Sequence, residues 1–548
     1  MKQSPTDRLA GASCRRAALP LAGLYALRAA ALAAIALVSR GVVDRALDGG
    51  AVLPWALALL ALSAAVPLLN AAAQLYAGRA ADRGAAEAAH ALLAALERKD
   101  CAALRSYHSG QLLSRLTGDC RTVCEKYTGL WPATAGQLVQ LAAAFAALLA
   151  LTPPLALALA ALGALAALAG FCFRRALRPR HLEARRADEA RSACAQETLE
   201  HLETTRAIVA PGEPLRRFAR LQRRWQETRG RLRRVSAAGW TGFSLLVFLI
   251  SAAAVIYGAL AIRRGALSYG GLTAALQLIG LFRSPVTGLT GVQSRLAAAD
   301  AAGERLRELL ALPDEPVGAM LPPDAQPLSV ELRRVTFAYS GEEQPVFRDF
   351  SAVIDLRRWT ALTGVSGRGK TTLFRLILAL CRPQSGEVLL RTDRGTVPCS
   401  AATRRFFAYV PQPPLLFSGT VRENLLLARP DADDPALWRA LDAADCGFLR
   451  TQPEGPDVPL GEGGAGLSAG QRQRIAIARA LLTDAPVLLL DEITSALDER
   501  TEARLLRTLT ARCPAALAAT HRPALPRQLG MAFLALDGKE AAASEGEE

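Results

Sequence analysis

The sequence predicts a multidomain chain: an all-α, six-helix transmembrane domain followed by an α/β domain built around a phosphate-binding loop. Three observations predict it. Six runs are apolar for about the 20 residues needed to cross a bilayer. The composition changes after Leu310, where Pro313, Pro316, Pro322, Pro323 and Pro327 mark a linker. Beyond the linker, Gly364-Val365-Ser366-Gly367-Arg368-Gly369-Lys370-Thr371-Thr372 follows a β-leaning apolar run, Trp359 to Thr363, and precedes a helical pattern from Leu373 to Leu380.

The apolar runs are 19–39, 52–76, 134–151, 155–173, 238–262 and 267–289. The basic N-terminus (Lys2, Arg8, Arg15, Arg16) before the first run is read as the flank of an uncleaved span, because further spans follow. Thr152-Pro153-Pro154 makes a tight external hairpin between the third and fourth spans. The segments 77–133 and 174–237 are long, charged and helical in pattern, and read as cytoplasmic extensions of the spans. The Arg/Lys bias places the N-terminus, both long segments and everything after the sixth span inside; Arg263 and Arg264, in an external loop, count against it. The expected divisions are a cytoplasmic segment 1–18, the transmembrane domain 19–311, a linker 312–327, the α/β domain 328–541 and an acidic tail 542–548.

Two charges fall inside spans, Arg28 in the first and Arg283 in the sixth. Each either faces a cavity, lining a pathway for an anionic group, or snorkels to the inner interface. Asn70, Gln74, Gln137, Gln140 and Gln277 are candidates for hydrogen bonds between helices.

The net charge of +15 does not indicate nucleic acid: the excess sits beside the spans, and the aromatics are too scattered for a base-stacking platform. The ten cysteines are dispersed without a CxxC pair or a histidine cluster at ligand spacing, so reduced thiols and no metal site of the protein's own ligands are expected.

The glycine loop supplies the chemistry. Backbone N–H groups from Gly364 through Ser366, Gly367 and Gly369 curl toward phosphate oxygens at a helix start, and Thr372 belongs to the same cradle. Lys370 reaches the β- and γ-phosphates of ATP, and the Thr371 hydroxyl holds Mg²⁺. Val487-Leu488-Leu489-Leu490-Asp491-Glu492 suits a strand buried on both faces with two acids at its C-terminal end. Asp491 then holds Mg²⁺, and Glu492 polarises the attacking water as general base. Leu467-Ser468-Ala469-Gly470-Gln471 reads locally as an N-cap, with Ser468 opening the helix from Ala469 to Leu482.

Placed between the phosphate loop and the Asp-Glu strand, LSAGQ resembles the signature of ATP-binding-cassette (ABC) proteins. With six upstream spans, the whole chain resembles an exporter-type half-transporter. The resemblance implies an ABC-type ATPase domain coupled to transport, and a second half-transporter chain, identical or not, so that each ATP lies between one chain's loop and the other's signature. It further implies adenine stacking by Tyr339, a Q-loop role for Gln412 that includes sensing Mg²⁺, a D-loop Ser495-Ala496-Leu497-Asp498, and a γ-phosphate switch at His521. The catalytic set it implies is Glu492, His521, Gln412 and Lys370; Ser468, Gly470, Gln471 and Asp498 contact nucleotide. Coupling helices are expected near Asp119–Glu125 and Thr205–Glu213. The family has glycine where this chain has Ala469, whose methyl group is expected to slow the site. The implied activity is export of a hydrophobic or amphipathic solute from a bacterial inner membrane with the ATPase domain cytoplasmic. The alternatives are import through the same fold and an ATP-gated channel or regulatory subunit.

Overall fold

The computed structural model describes residues 11–200, 202, 206–207, 212–339, 342, 344–364, 369–492, 498–536 and 543–544. Within the helices, side chains at 159, 162–178, 240, 243, 246–247, 283, 286–287, 289–290 and 293 are outside the description. The chain divides into two units, Met1–Leu96 with Ser109–Ala311, and Glu97–His108 with Leu312–Glu548.

The first unit is helical. Its elements are α1 (Ala12–Leu47), α2 (Leu53–Leu96) and, after the short α3 (Cys101–Leu104) of the second unit, α4 (Ser109–Ser114), α5 (Cys120–Glu125), α6 (Trp131–Leu151), α7 (Pro153–Glu200), α8 (Glu213–Arg263), α9 (Tyr269–Leu281) and α10 (Arg283–Leu310). Among the described residues, three helical stretches are long and apolar enough to cross a membrane: Ala12–Leu47, Leu53–Leu96 and Ser109–Leu151. Phe248–Arg263 and Tyr269–Leu281 are shorter apolar helices. Pro153 and Pro154 open α7, where a missing N–H costs nothing, so the predicted hairpin is a one-residue break at Thr152.

The sixth apolar run differs from expectation, because it is two helices interrupted at Phe282. The cause is Pro285, which has no N–H to give the carbonyl of Leu281. Gln140 of α6 takes that place, its Nε2 donating to the Leu281 carbonyl at 2.8 Å. The end of α1 is tied to the start of α9 by Asp44, which accepts from Ser268 Oγ and the Gly270 N–H, each at 2.9 Å. Glycine is required there: a Cβ on residue 270 would lie 2.4 Å from the Arg40 carbonyl oxygen.

The placement of a coupling helix at Asp119–Glu125 is corrected. This stretch belongs to the first unit, where α5 packs against α2 and α10, Asp119 accepts from Arg305 Nε at 2.8 Å, and Lys126 donates to Asp300 at 2.8 Å. The segment grouped with the second unit lies upstream, at Glu97–His108. The counterpart expected at Thr205–Glu213 falls mostly outside the described residues.

The second unit is built on two larger sheets and a two-stranded pair, β7 (Gly419–Thr420) with β8 (Pro459–Leu460). One is antiparallel, ordered β2 (Phe347–Asp355), β1 (Pro327–Phe337), β4 (Ser385–Thr392), β5 (Gly395–Pro398). The other has six strands, ordered β12 (Ala543–Ser544), β11 (Ala532–Ala535), β3 (Trp359–Thr363), β10 (Ala515–Ala519), β9 (Val487–Asp491), β6 (Phe407–Val410). From β11 to β6 every pairing is parallel. Both faces are covered, as the apolar run of β9 requires: Leu488 and Leu490 join one core cluster, Val487 and Leu489 the other. The proline-rich stretch is less free than a linker. Asp314 pairs with Lys99 at 2.7 Å, Glu315 pairs with Arg404, and the Val317 carbonyl accepts from the Ala402 N–H at 3.0 Å.

Candidate active site

Strand register brings the predicted residues together. Ala519 of β10 lies level with Leu362 of β3 on one side and with Asp491 of β9 on the other. The segments that follow these three strands therefore emerge at one sheet edge, as expected for α/β folds. Lys370 opens α11 (Lys370–Ile377), with Gly369 before it at φ +95°, a conformation that only glycine adopts without strain. Gly364 follows the end of β3, whereas Ser366 and Gly367 lie outside the described residues.

Lys370 is 4% exposed, and its Nζ donates to the Gly364 carbonyl at 2.9 Å. The same atom is 3.2 Å from His521 Nε2, 3.4 Å from His521 Nδ1 and 3.7 Å from Glu492 Oε1. His521 Nε2 is 2.6 Å from Glu492 Oε1. The tautomer that serves both partners carries its proton on Nε2, donating to Glu492 while Nδ1 accepts from Lys370. A buried cation, an imidazole and a carboxylate thus meet at one point. The backbone of Glu492 is itself unusual, at φ +52°, in the left-handed region that costs a non-glycine residue energy. Its N–H donates to the Ala519 carbonyl at 3.2 Å, and its carbonyl accepts from Gln473 Nε2 at 3.4 Å.

Thr371 and Asp491 form the second half of the site. Thr371 Oγ1 donates to Asp491 Oδ1 at 3.1 Å, and the Tyr409 hydroxyl donates to Asp491 Oδ2 at 3.3 Å. Asp491 is 1% exposed. Burial raises its carboxyl above the usual carboxylate range, with the Thr371 and Tyr409 bonds pulling the other way. A hydroxyl and a buried carboxylate converging on one point fit Mg²⁺, which takes hard oxygen ligands and keeps several from water or phosphate. Among the described residues no group of three His, Cys, Asp or Glu side chains could hold a metal, so phosphate and water oxygens must complete such a site.

The remaining predicted residues lie apart from this centre. The Tyr339 hydroxyl is 3.1 Å from Thr372 Oγ1 and accepts from Arg375 Nη1 at 2.9 Å, and its ring stands edge-on to Phe337. Gln412 is exposed after β6, and no hydrogen bond joins it to the cluster among the described residues. Ser468 caps α12 (Ala469–Leu481): its Oγ accepts from the Gln471 N–H at 3.2 Å, and Gln471 Oε1 accepts from the Ser468 N–H at 2.8 Å. Ser468 and Ala469 are exposed at this helix start, Gly470 partly so. Asp498 caps α13 (Glu499–Arg512), and the Thr501 N–H holds its carboxyl below the usual range. Residues 495–497 of the same motif are outside the described residues.

Sequence reasoning missed Gln473 and Tyr409. Gln473 is 4% exposed and sits four residues before the buried Ile477 on the apolar face of its helix. A glutamine at a core position of an amphipathic helix was the available signal. Nothing in the local pattern aims Tyr409 at Asp491; that requires β6 to lie beside β9.

Comparison with known proteins places both units. Residues 347–495 match the family model for the ABC transporter ATPase region and residues 23–286 the model for the ABC transporter transmembrane region. An ABC multidrug transporter of Aspergillus fumigatus is 31% identical over 417 residues, covering 73% of this chain and 51% of the relative. A mycobactin import ATP-binding/permease protein of Mycolicibacterium smegmatis is 34% identical over 384 residues, covering 69% and 65%. An ATP-dependent lipid A-core flippase of Alkalilimnicola ehrlichii is 39% identical over 247 residues, covering 44% and 42%. The chain thus spans about two thirds or less of the curated relatives it matches. The structure of a bacterial Atm1-family ABC exporter with ATP bound superposes with TM-score 0.78, covering 96% of this chain and 94% of that one at 23% identity, and shares the fold.

Proposed function

Since this chain belongs to the ABC transporter family, as a half-transporter with its transmembrane region fused to its ATPase region, we propose that it moves a hydrophobic or amphipathic solute outward across a membrane, driven by ATP hydrolysis in a dimer. The observation that carries this reading is the meeting of Lys370, Glu492 and His521 beside Thr371–Asp491, in the chain that also carries the helical unit. Lys370 binds the β- and γ-phosphates; Glu492, oriented by His521, takes the proton of the attacking water. Thr371 and Asp491 would hold Mg²⁺, which would neutralise charge on the phosphate oxygens.

The exposed signature supports a dimer. Ser468, Ala469 and Gly470 open an uncovered helix start, suited to receive phosphate held by a second chain. Closure of two such domains over ATP shifts the membrane helices from inward- to outward-facing, and hydrolysis resets them. In this reading the ATPase region lies in the cytoplasm, which the positive charge beside the spans supports.

Import is a second reading, favoured by the name of the mycobactin relative. Uptake into inside-out vesicles against uptake into right-side-out vesicles separates the two. In either direction, Glu492→Gln should stop ATP hydrolysis and solute movement together; movement that persists without hydrolysis would point to a gated channel and sink both readings.

A further inference from the structure

The first unit holds a charge that the ATP chemistry does not use. Arg28 lies at the middle of the first predicted span, 19–39, where a charge is costly unless something receives it. It does not snorkel along its own helix. Its Nη1 donates to Asn70 Oδ1 at 2.9 Å, across to α2, and Asn70 itself lies inside the second predicted span. The guanidinium sits 5.7 Å from the centroid of the Tyr25 ring. Tyr25 in turn packs closely against α6, where a Cβ on Gly136 would lie 2.4 Å from Tyr25 Cβ. Arg28 is half-buried; its Nε is buried and has no hydrogen-bond partner, and no carboxylate pairs with it among the described residues.

A neutral amide fixes the group without cancelling its charge. The guanidinium keeps donors to spare at a depth where water is scarce, and a planar fork of donors suits carboxylate or phosphate oxygens. Leu27 of α1 is 56% exposed and Leu68 of α2 is 68% exposed, so the two helices that hold the pair also present apolar side chains. We propose that Arg28, held by Asn70, receives the anionic head group of an amphiphilic solute, and so gives the transporter a preference for amphiphiles carrying phosphate or carboxylate. This rests on the transport reading above, but binding can be measured without hydrolysis.

The probe is tritiated dodecyl phosphate, bound without ATP to the full chain in discs of zwitterionic phosphatidylcholine, over protein-free discs. Saturable binding is expected, about tenfold weaker in Arg28→Gln, the loss of one charge-assisted contact, and largely kept in Arg28→Lys. Asn70→Leu, which keeps the charge and releases it, should weaken binding severalfold; it serves as the test if Arg28→Gln fails to insert. Dodecyltrimethylammonium should not compete. Competition by inorganic phosphate at concentrations matching dodecyl phosphate would overturn the amphiphile assignment in favour of a soluble anion. Equal binding by the parent, Arg28→Gln and Asn70→Leu would overturn the proposal outright. Arg28-dependent binding in a chain that hydrolyses no ATP would instead leave this site standing and remove the transport reading.

Discussion

The two units use polar side chains in opposite ways. In the ATPase unit, charged groups are gathered at one sheet edge and held under tension: Lys370 is almost fully buried beside His521, Asp491 is ionisable yet buried, and Glu492 sits on left-handed backbone. In the helical unit, polar groups join distant helices in pairs, as Asp44 does with Ser268 and Gly270, Gln140 with Leu281, and Asp119 with Arg305. The first arrangement gives up stability for chemistry, and the second secures packing where apolar contact alone does not fix helix register.

That contrast can be broken by mutation. The largest effect is expected for Glu492→Gln, which should lower ATP turnover about 10²- to 10⁴-fold, the range for a lost general base, while ATP still binds and the melting temperature is unchanged. Turnover measured beside nucleotide binding checks it; a matching loss of binding would mean that Glu492 is structural.

Asp491→Asn should also remove Mg²⁺-dependent turnover, but with a stabilising sign. Burial raises the Asp491 carboxyl, so ionising it costs the native chain stability, and that cost appears as pH rises through the folded value. Without nucleotide or metal, the variant should therefore melt above the parent at neutral pH, with the gap closing as the pH is lowered. A gap that widens in acid would refute the assigned strain.

In the helical unit the pattern should invert. Asp119→Ala strands Arg305, which is 43% exposed and so partly rescued by water, and should cost about 1 kcal/mol. Thermal unfolding of the full chain should show this loss with little change in basal ATP turnover. A large fall in turnover would make Asp119 part of the drive mechanism and erase the contrast.

The smallest effect is expected at the signature, where Ala469→Gly should raise turnover about two- to threefold by removing the methyl group at the exposed helix start. An unchanged rate would show that the methyl group already clears the phosphate.

Much of the ATPase unit was legible in the sequence, because its residues are tied to local backbone shape. A glycine loop before a helix, an apolar strand ending in acids and a serine at a helix start each announce themselves within ten residues. What escaped notice depends on neighbours far along the chain. Gln473 meets Glu492, and Tyr409 meets Asp491, only because of packing and strand order. The helical unit shows the same limit more strongly. Pro285 is visible as a helix breaker, but its answer lies in Gln140, on another helix. Arg28 was visible as an odd charge, and only the position of Asn70, 42 residues on, separates a held cation from one reaching for the interface.

The brief segment Glu97–His108 bears on how this chain could be divided. It is part of the ATPase unit, although some two hundred residues of the helical unit separate it from the rest. Asp100 takes a backbone bond from its own N–H to the Pro313 carbonyl and pairs with Arg382, while Arg105 donates to Cys381 and lies 5.8 Å from the Tyr339 ring centroid. The segment lies within the stretch that matches the transmembrane-region family model, 23–286, yet packs with the second unit. A fragment beginning at the proline-rich stretch would lose the partners that Asp100 and Arg105 supply, and a gene fusion that exchanged only the C-terminal half would import a partner fitted to some other chain's segment. Modular exchange in such a protein has to carry both pieces of sequence together.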